Sequence, residues 1–455
     1  MIYLDRYGCL FFETASTLKK GVISLTRYFV KDFKGADCDP RLNSLIREVA
    51  DTKVYVLRAV QPENVEDVKR RWLREAWRGR FTDPHFMYDR SRAKTQLWKE
   101  EALLDMQGAL ASLPESMSLE EEYLKRLLAL RIKGLLESVE VLKAFVEGDS
   151  AELREAVINK YGRPKIPDAK DAETWLRRDA PYMVFDEESG VLQSLRLDAA
   201  QVAEAMVWAL KQYRLDYHYE VVVDEKAVLV SVAHPVGEKM GRIMIPAQRI
   251  FNGVEVLRLI GHEIECHILD EMNAKSILHG MPRVSGELIS EGRATASDAQ
   301  LEAHFLGDTP LLRDKARLFI MTSKALRGER FGDLARWAHE SVRSDITDRR
   351  DSLEEAWRLT YRVMRGASDG RNPYGYAFTK EYSYYAGYRY VQDFEGSAVW
   401  LASGLSTDNE LRALSERYEL TSEDLPWSPK ELAWSEELRD ILFWLAGETP
   451  LKTEK

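Results

Sequence analysis

Apolar residues in the first third of the chain recur at intervals of three and four positions. One such series runs through Leu103, Met106, Leu110 and Leu113. This spacing places side chains on one face of an α-helix, so the stretch from about Thr14 to Val157 predicts a helical region. An Asp-Pro pair at positions 83 and 84 interrupts a segment that is dense in aromatic and basic residues, which predicts a turn between two of these helices.

A change of composition marks the end of this helical region. Gly162–Ala180 is rich in proline and charged residues, a composition typical of a linker. We therefore expect an N-terminal helical region at residues 1–165 and a core at residues 175–415. A helical tail at residues 416–455 should pack on that core.

The hydrophobic period becomes β-like after a predicted helix at Asp198–Leu215. Tyr219–Val223 and Ala227–Ala233 are β-branched runs with three charged residues between them, which predicts a hairpin. Gly241–Pro246 predicts a third strand, whose terminal proline lacks an N–H and confines it to an edge or a strand end. We expect an extended substrate to pair with the free edge of this strand. The fold class is therefore α+β, mostly helical, with a small antiparallel sheet.

The next helix contains the residues that suggest chemistry. It begins at Asn252, with Glu255 three residues later in the pattern of a capping box. Further along, the sequence LIGHEIECHIL places His262, Glu263 and His267 between apolar residues. Unpaired polar groups at the edge of an apolar core are costly, which fits a metal site. The same pattern also fits a solvated polar stripe.

The spacing of the two histidines sets a geometric condition. In the common zinc peptidase motif the histidines are four residues apart, on one helix face. Here they are five apart, which at about 100° per residue puts the rings roughly 140° apart on a regular helix. We therefore predict a bulge or a wide turn within Gly261–Leu269, since π-bulges concentrate at functional sites.

A third ligand is predicted on the segment Ser285–Asp298, which follows a loop at His279–Pro282 and should form the second helix of an antiparallel pair. It supplies Glu287 and Glu291, one helical turn apart. Glu291 is favoured because Gly292 follows it, and a residue without a side chain lets a metal or another backbone approach closely. Glu287 remains the substitute candidate.

Three protein ligands with an open fourth position are typical of catalytic zinc. The sequence thus predicts one Zn²⁺ per chain, held by His262, His267 and Glu291. Zinc lowers the pKa of its bound water toward neutrality, and Glu263 is placed to accept the proton as general base. Cys266 lies beside the second histidine, but a cysteine in an apolar helix is more often a small core residue than a ligand.

Composition and charge narrow the class of protein. The 455 residues have a formal net charge of -10, and such an acidic chain repels nucleic acid. The three cysteines form no spaced framework of disulfides. No stretch approaches the roughly 20 apolar residues of a membrane span, and the N-terminus lacks the pattern of a signal peptide. We therefore expect a cytoplasmic enzyme with a peptide or protein C-terminus as substrate and no nucleic-acid or membrane partner.

Two motifs resemble those of a known family. HEIECH and the downstream SEGRA are similar to the H-E-x-x-x-H and E-G-L-A motifs of the MATCAP-type tyrosine/histidine carboxypeptidases. Residues 83–88, 361–366 and 378–387 also resemble segments of that family, so the likeness spans roughly Phe81 to Leu414. The resemblance implies a zincin-like metallopeptidase core and removal of a C-terminal residue, which in the best-known members is a tyrosine.

The resemblance also implies roles for residues outside the metal site. Arg362, Arg365 and Lys380 map onto motif positions of the family, and a carboxypeptidase needs such cations for the free carboxylate of its substrate. Arg293 is a further candidate for this role. Tyr384 maps onto a motif position from which its hydroxyl can donate to the oxyanion.

The chain departs from the family's pattern in the two motifs themselves. Ser290 replaces an acidic residue or glutamine, Arg293 replaces a leucine, and Glu265-Cys266 replaces Gly-Thr. These changes indicate a divergent member, and two alternatives stay open. One is an aminopeptidase-type zinc enzyme similar to dipeptidyl peptidase III. The other is a catalytically inactive interaction protein that retains the fold.

Overall fold

Helices make up most of the described chain, and three short strands form a sheet near its middle. The computed structural model of the protein describes residues 2–4, 10–12, 39–114, 119–176, 187–227, 229–235, 239–277, 287–367, 370–396, 398–404 and 420–448. Two further strands, β1 (Ile2–Leu4) and β2 (Leu10–Phe12), pair in antiparallel register at the N-terminus. Among the described residues, no helix is both long enough and apolar enough to cross a lipid bilayer.

The helical pattern predicted from about Thr14 to Val157 is observed as helices from Pro40 onward, whereas the described residues before Asp39 form two strands. The helices of this region are α1 (Pro40–Asp51), α2 (Val56–Ala59), α3 (Val65–Trp77), α4 (Ser91–Lys94), α5 (Lys99–Ala111), α6 (Leu119–Glu147), α7 (Ser150–Tyr161) and α8 (Ile166–Leu176). α1 begins at Asp39, whose carboxylate accepts a hydrogen bond from the backbone N–H of Arg41 at 2.7 Å. The predicted turn at positions 83 and 84 falls between α3 and α4, as expected.

The N-terminal helices share an apolar core with a later part of the chain. Trp72 on α3 lies edge-on to Phe331 and tilted against Trp357, with ring centroids 6.1 and 5.4 Å away. Phe86, in the loop after α3, contacts the same two rings at 6.0 and 6.1 Å. Aromatic pairs at such distances add to the free energy of burial, so these helices are packed directly on the second half of the chain.

The segment that we predicted as a linker contains a helix. α8 packs its two buried alanines, Ala169 and Ala172, in one apolar cluster with Phe319. The prediction of a linker across Gly162–Ala180 is therefore wrong over α8, while residues 177–186 lie outside the described part of the chain. The proline at position 167 is compatible with a helix because it falls in the first turn, where its missing N–H costs no hydrogen bond.

The central sheet is mixed, which corrects the predicted antiparallel sheet. It follows α9 (Glu187–Ser194) and α10 (Ala199–Gln212), and its strands are β3 (Tyr219–Asp224), β4 (Ser231–Ala233) and β5 (Gly241–Pro246). The strand order is β3-β5-β4, with β3 parallel to β5 and β4 antiparallel to it. The predicted hairpin is wrong, because β3 and β4 each pair with β5 and not with each other. The helix predicted before the sheet is confirmed as α10.

The position of β5 corrects the expectation for substrate pairing as well. β5 is hydrogen-bonded on both sides, so a substrate chain has no free edge to add to there. Within the described residues, the outer strands are β3 and β4, and β4 contacts the segment with the two histidines. Pro246 does lie at a strand end, as predicted, where its missing N–H interrupts no ladder.

The second half of the chain is helical around this sheet. Its elements are α11 (Gly253–Leu259), a π-helix (Ile260–Ile268), α12 (Leu269–Ile277), α13 (Glu287–Leu306), α14 (Pro310–Leu326), α15 (Phe331–Val342), α16 (Arg349–Val363), a 3₁₀ turn (Thr379–Tyr382), α17 (Ser383–Gln392), α18 (Ala398–Ala402), 3₁₀ turns at Ser422–Asp424 and Leu432–Trp434, and α19 (Glu436–Ala446). The sheet, α10, α11, the π-helix and α19 bury their apolar faces in one common cluster. This cluster fixes the π-helix against the sheet.

Two glycines allow α13 and α17 to cross in close contact. A side-chain carbon built on Gly292 of α13 would lie 2.7 Å from the Cα of Gly387 of α17. One built on Gly387 would lie 2.8 Å from the Cα of Gly292. Carbon atoms do not approach so closely, so the two backbones touch only because both residues lack a side chain. The prediction that Gly292 admits another backbone is confirmed.

We expect Gly292→Ala or Gly387→Ala to destabilise the protein by about 1–3 kcal/mol, because the added methyl group must push α13 and α17 apart. Thermal unfolding followed by circular dichroism measures this change. Gly108→Ala is the matched control, since Gly108 also lies inside a helix but a side-chain carbon built there meets nothing within 4 Å. The control should be neutral or stabilising, as alanine is favoured over glycine in helices by about 0.5–1 kcal/mol. Equal melting temperatures for the three variants would contradict the close contact.

Candidate metal centre

The two histidines of the HEIECH motif lie on a π-helix. α11 begins at Asn252, whose side chain accepts from the N–H of Glu255 while the Glu255 carboxylate accepts from the N–H of Asn252, so the predicted capping box is confirmed. The helix then widens to the π form over Ile260–Ile268. Because π-helical hydrogen bonds join residues five apart, the spacing of the histidines is close to one turn. The predicted wide turn is thus confirmed, and the ring centroids of His262 and His267 are 4.9 Å apart.

Glu291 joins the two histidines from the neighbouring helix. Ligand atoms of His262, His267 and Glu291 all lie within 4.8 Å of one another, and Nε2 of His267 is 3.7 Å from Oε2 of Glu291. Such a trio could hold a metal ion, with two imidazoles and one carboxylate as in catalytic zinc sites. The side chain of Glu287, the substitute candidate, and the loop predicted at His279–Pro282 lie outside the described part of the chain.

A carboxylate orients the first histidine. Nδ1 of His262 lies 2.9 Å from Oδ2 of Asp298, which leaves Nε2 for a ligand bond. Asp298 is buried and also lies 3.5 Å from Nε of Arg258, which in turn donates to Glu302 at 2.8 Å. Burial disfavours the imidazolium, but Asp298 outweighs it and raises the pKa of His262 to about 9. A metal that binds here must therefore displace a proton.

A serine orients the second histidine. Nδ1 of His267 lies 2.9 Å from Oγ of the fully buried Ser290, so its Nε2 faces the same cluster as Glu291. Ser290 is the position where the resembled family has an acidic residue or glutamine. In this chain the serine hydroxyl gives Nδ1 of His267 a hydrogen-bonding partner. The contacts His262–Asp298 and His267–Ser290 also run in opposite directions along the two helices, so the predicted antiparallel pairing is confirmed.

Glu263 lies on the π-helix directly after the first histidine. Its side chain is partly exposed, and its charge is one of the influences that raise the pKa of His262. Among the described residues, the only group of histidines, cysteines and acids with metal-ligand geometry is the trio already named, so Glu263 is not one of its members. The carboxylate therefore follows the first histidine of the trio directly in sequence and is not one of the three candidate ligands.

Glu265 and Cys266, the two residues before the second histidine, are buried. Glu265 accepts hydrogen bonds from the Tyr213 hydroxyl and from the N–H groups of Leu432 (2.8 Å) and Ala433 (3.3 Å). It thereby ties the π-helix to the C-terminal segment. Cys266 is a buried free thiol, and burial raises its pKa to about 12. It is not one of the three candidate ligands, and its burial confirms the prediction of a core residue.

Two of the predicted cations lie near the trio: Lys380 beside Glu291, and Arg362 beside the Tyr384 ring. Nζ of Lys380 is 3.4 Å from Oε1 of Glu291, on the 3₁₀ turn before α17. Arg362 on α16 donates to Oε2 of the buried Glu381 at 2.5 Å. The Arg362 guanidinium carbon also lies 5.6 Å from the centre of the Tyr384 ring. Sequence similarity alone pointed to these positions, and the structure brings them to one side of α13.

The other two predicted cations have different surroundings. Arg293 pairs with the fully buried Asp270 of α12 and donates to the backbone carbonyl of Glu265, so it braces α13 against α12. Arg365 lies over the rings of Tyr361 (5.6 Å) and Phe378 (5.8 Å). Neither contacts the Tyr384 ring, in contrast to Arg362.

Tyr384 projects from the first turn of α17 toward α14. Burial, together with the charge of Glu291, raises its pKa, so the hydroxyl keeps its proton at neutral pH. Nζ of Lys315, on α14, lies 3.8 Å from the centre of the Tyr384 ring. Burial, with Arg362 nearby, lowers the pKa of Lys315 to about 8. Sequence reasoning missed Lys315, because a lysine within a polar helical stretch is normally exposed and gives no signal.

No protein-family model matches the chain, and no curated protein matches it either.

We expect Glu265→Ala to destabilise the protein by about 3 kcal/mol or more, because three buried donors lose their acceptor. Urea unfolding measures the loss. Glu265→Gln should be milder, since its amide oxygen still accepts from two of the three donors. Limited proteolysis adds a local readout, as cleavage within residues 420–448 should become faster in the alanine variant. If the two variants were equally stable and equally resistant, Glu265 would not be the link to the C-terminal segment.

Proposed function

We propose that the protein is a zinc-dependent peptidase of the carboxypeptidase type. The observation that supports this is the convergence of His262, His267 and Glu291 to within 4.8 Å on a π-helix that suits their spacing. The hydrogen bonds of both imidazole Nδ1 atoms add to the argument, because second partners of this kind fix the ring orientation in metal sites. The resemblance of HEIECH and SEGRA to the MATCAP-type carboxypeptidases points to the same chemistry.

The roles of the residues follow from their positions. The chemistry that bound Zn²⁺ supplies is Lewis acidity, which polarises a carbonyl and brings the pKa of water toward neutrality. Glu263, beside the trio and outside it, accepts the proton of the attacking water and delivers it to the leaving amine. Tyr384 retains its proton and is a hydrogen-bond donor for the oxyanion that develops on the substrate carbonyl.

Substrate direction is inferred from the charges and from the sheet. Arg362 and Lys380 lie on the side of α13 that Glu291 faces, and cations there suit a substrate whose chain ends in a free carboxylate. β4, an outer strand beside the π-helix, offers backbone groups to an extended peptide, in place of the central β5. An N-terminal substrate would instead require a carboxylate partner for its amine.

The first test separates the base from the ligands. Glu263→Ala should keep zinc and the fold but lower kcat/KM at least about 100-fold, because general base catalysis contributes about 10²–10⁴-fold. His267→Ala should lose zinc, as measured by elemental analysis after dialysis. His218→Ala is the control, since His218 is an exposed histidine remote in sequence from the trio and should retain both metal and activity. Near wild-type turnover in Glu263→Ala would exclude the assigned mechanism.

The second test decides which end of the peptide is attacked. A set of peptides with varied C-terminal residues, each as free acid and as amide, is incubated with the wild type and followed by mass spectrometry. We expect loss of a single C-terminal residue from free acids and at least about tenfold slower hydrolysis of the amides, because a charged hydrogen bond is lost. Release of dipeptides or residues from the N-terminus, at equal rates for acids and amides, would instead favour the aminopeptidase alternative.

A further inference from the structure

Lys315 is a buried cation for which the proposed roles give no use. It lies on α14 with only 7% of its surface exposed. Its ammonium contacts the face of the Tyr384 ring at 3.8 Å, but it has no hydrogen bond or ion pair among the described residues. An ammonium without an oppositely charged partner is among the most costly groups to bury. Its presence beside the metal trio therefore needs an explanation from function.

The neighbouring cations differ from Lys315 because each of them has an ion-pair partner. Arg362 has Glu381 as its partner, and Lys380 has Glu291. On the same helix, Lys324 also lies over an aromatic ring, that of Trp337 at 5.7 Å, but it pairs with Glu329 at 3.1 Å. Lys315 thus differs from these cations in having no hydrogen bond or ion pair among the described residues, and the carboxylates of Glu381, Glu291 and Asp298 act on it only from a greater distance.

We propose that the Lys315 ammonium binds the terminal carboxylate of the substrate, with the Tyr384 ring as the floor of this carboxylate site. This inference rests on the proposed function. It identifies a substrate-binding residue that sequence similarity did not indicate, and it assigns the principal contact to Lys315 instead of Arg362, Arg365, Lys380 or Arg293.

Two features favour Lys315 as the carboxylate-binding residue: its position close to the trio and its lack of an ion-pair partner. One residue of extended chain spans about 3.3–3.6 Å, so the terminal carboxylate of an exopeptidase substrate lies within a few ångströms of the bond that is cleaved. Cations close to Glu291 and Tyr384 are within that reach. Arg362 and Lys380 would have to share or give up a carboxylate that they already bind. Lys315 gains a partner without breaking an ion pair. Of the three cations, it should therefore bind a substrate carboxylate with the most favourable free energy.

The first experiment measures the stability of the free protein. Lys315→Met keeps the length of the side chain and removes the charge, so it should raise the melting temperature by about 2 °C or more, because an unpaired buried ammonium is lost. Lys324→Met is the matched control and should be neutral or lower the melting temperature, since it breaks an ion pair. If Lys315 had a structural role, Lys315→Met would instead have the lower melting temperature of the two variants. A lower melting temperature in Lys315→Met than in Lys324→Met would overturn the proposal.

The second experiment measures carboxylate binding without turnover. The full-length Glu263→Ala protein is loaded with zinc and titrated with N-acetyl-tyrosine, N-acetyl-alanine and N-acetyl-glutamate, and with the α-amide of each. We expect at least one free acid to bind at least about tenfold more tightly than its amide. This preference should disappear when Lys315→Met is added and persist when Lys324→Met is added. Lys315→Gln serves as a second variant if the methionine protein does not fold.

The outcomes separate this inference from the proposed function. If zinc binds and peptides are hydrolysed, but the preference for acids survives Lys315→Met, then the carboxylate site is elsewhere and the peptidase stands. If no zinc and no hydrolysis are found, while Lys315→Met abolishes a preference for acids, then the carboxylate site stands and the peptidase is wrong. If none of the acids binds more tightly than its amide, the role of Lys315 is overturned.

Discussion

The π-helical turn at Ile260–Ile268 is the constraint on which the rest of the site depends. On a regular helix the two histidines would point to different sides, whereas the wider turn brings their rings to 4.9 Å. Such turns are rare, so the surrounding structure must stabilise this one. Its isoleucines pack into the core that the sheet and α19 share, and Glu265 binds the backbone of Leu432 and Ala433. The C-terminal segment is therefore part of the support for the candidate metal centre.

Helix α13 is the second support of the candidate metal centre, because it carries three of the residues that form or orient the trio. Ser290 and Asp298 bind Nδ1 of the two histidines, and Glu291 completes the trio between them along the helix. The close contact of Gly292 with Gly387 then brings α17, and with it Tyr384, against the same helix. A shift of α13 would change all these contacts together. The geometry of the site is consequently a property of the helix packing as much as of its individual side chains.

Cations gather at the site although the chain as a whole is acidic. The formal net charge is -10, yet Arg362, Lys380 and Lys315 gather around Tyr384. Acidic surface disfavours polyanionic partners, whereas a local group of cations favours a small anionic group. The net charge therefore indicates which macromolecules the protein avoids, whereas the local arrangement of charges bears on the substrate. The lack of an ion pair at Lys315 is the feature on which the proposed carboxylate site rests.

The sequence alone determined the features that depend on local spacing. The capping box at Asn252 and the need for a wide turn between His262 and His267 both follow from residues close together in the chain. Tertiary structure decided what depends on distant partners. The pairing of β3 with β5 joins strands separated by β4, and α8 buries its alanines in an apolar cluster with the distant Phe319. The significance of Lys315 appeared only when α14 and α17 packed together, since burial, and not residue type, determines the cost of an unpaired charge.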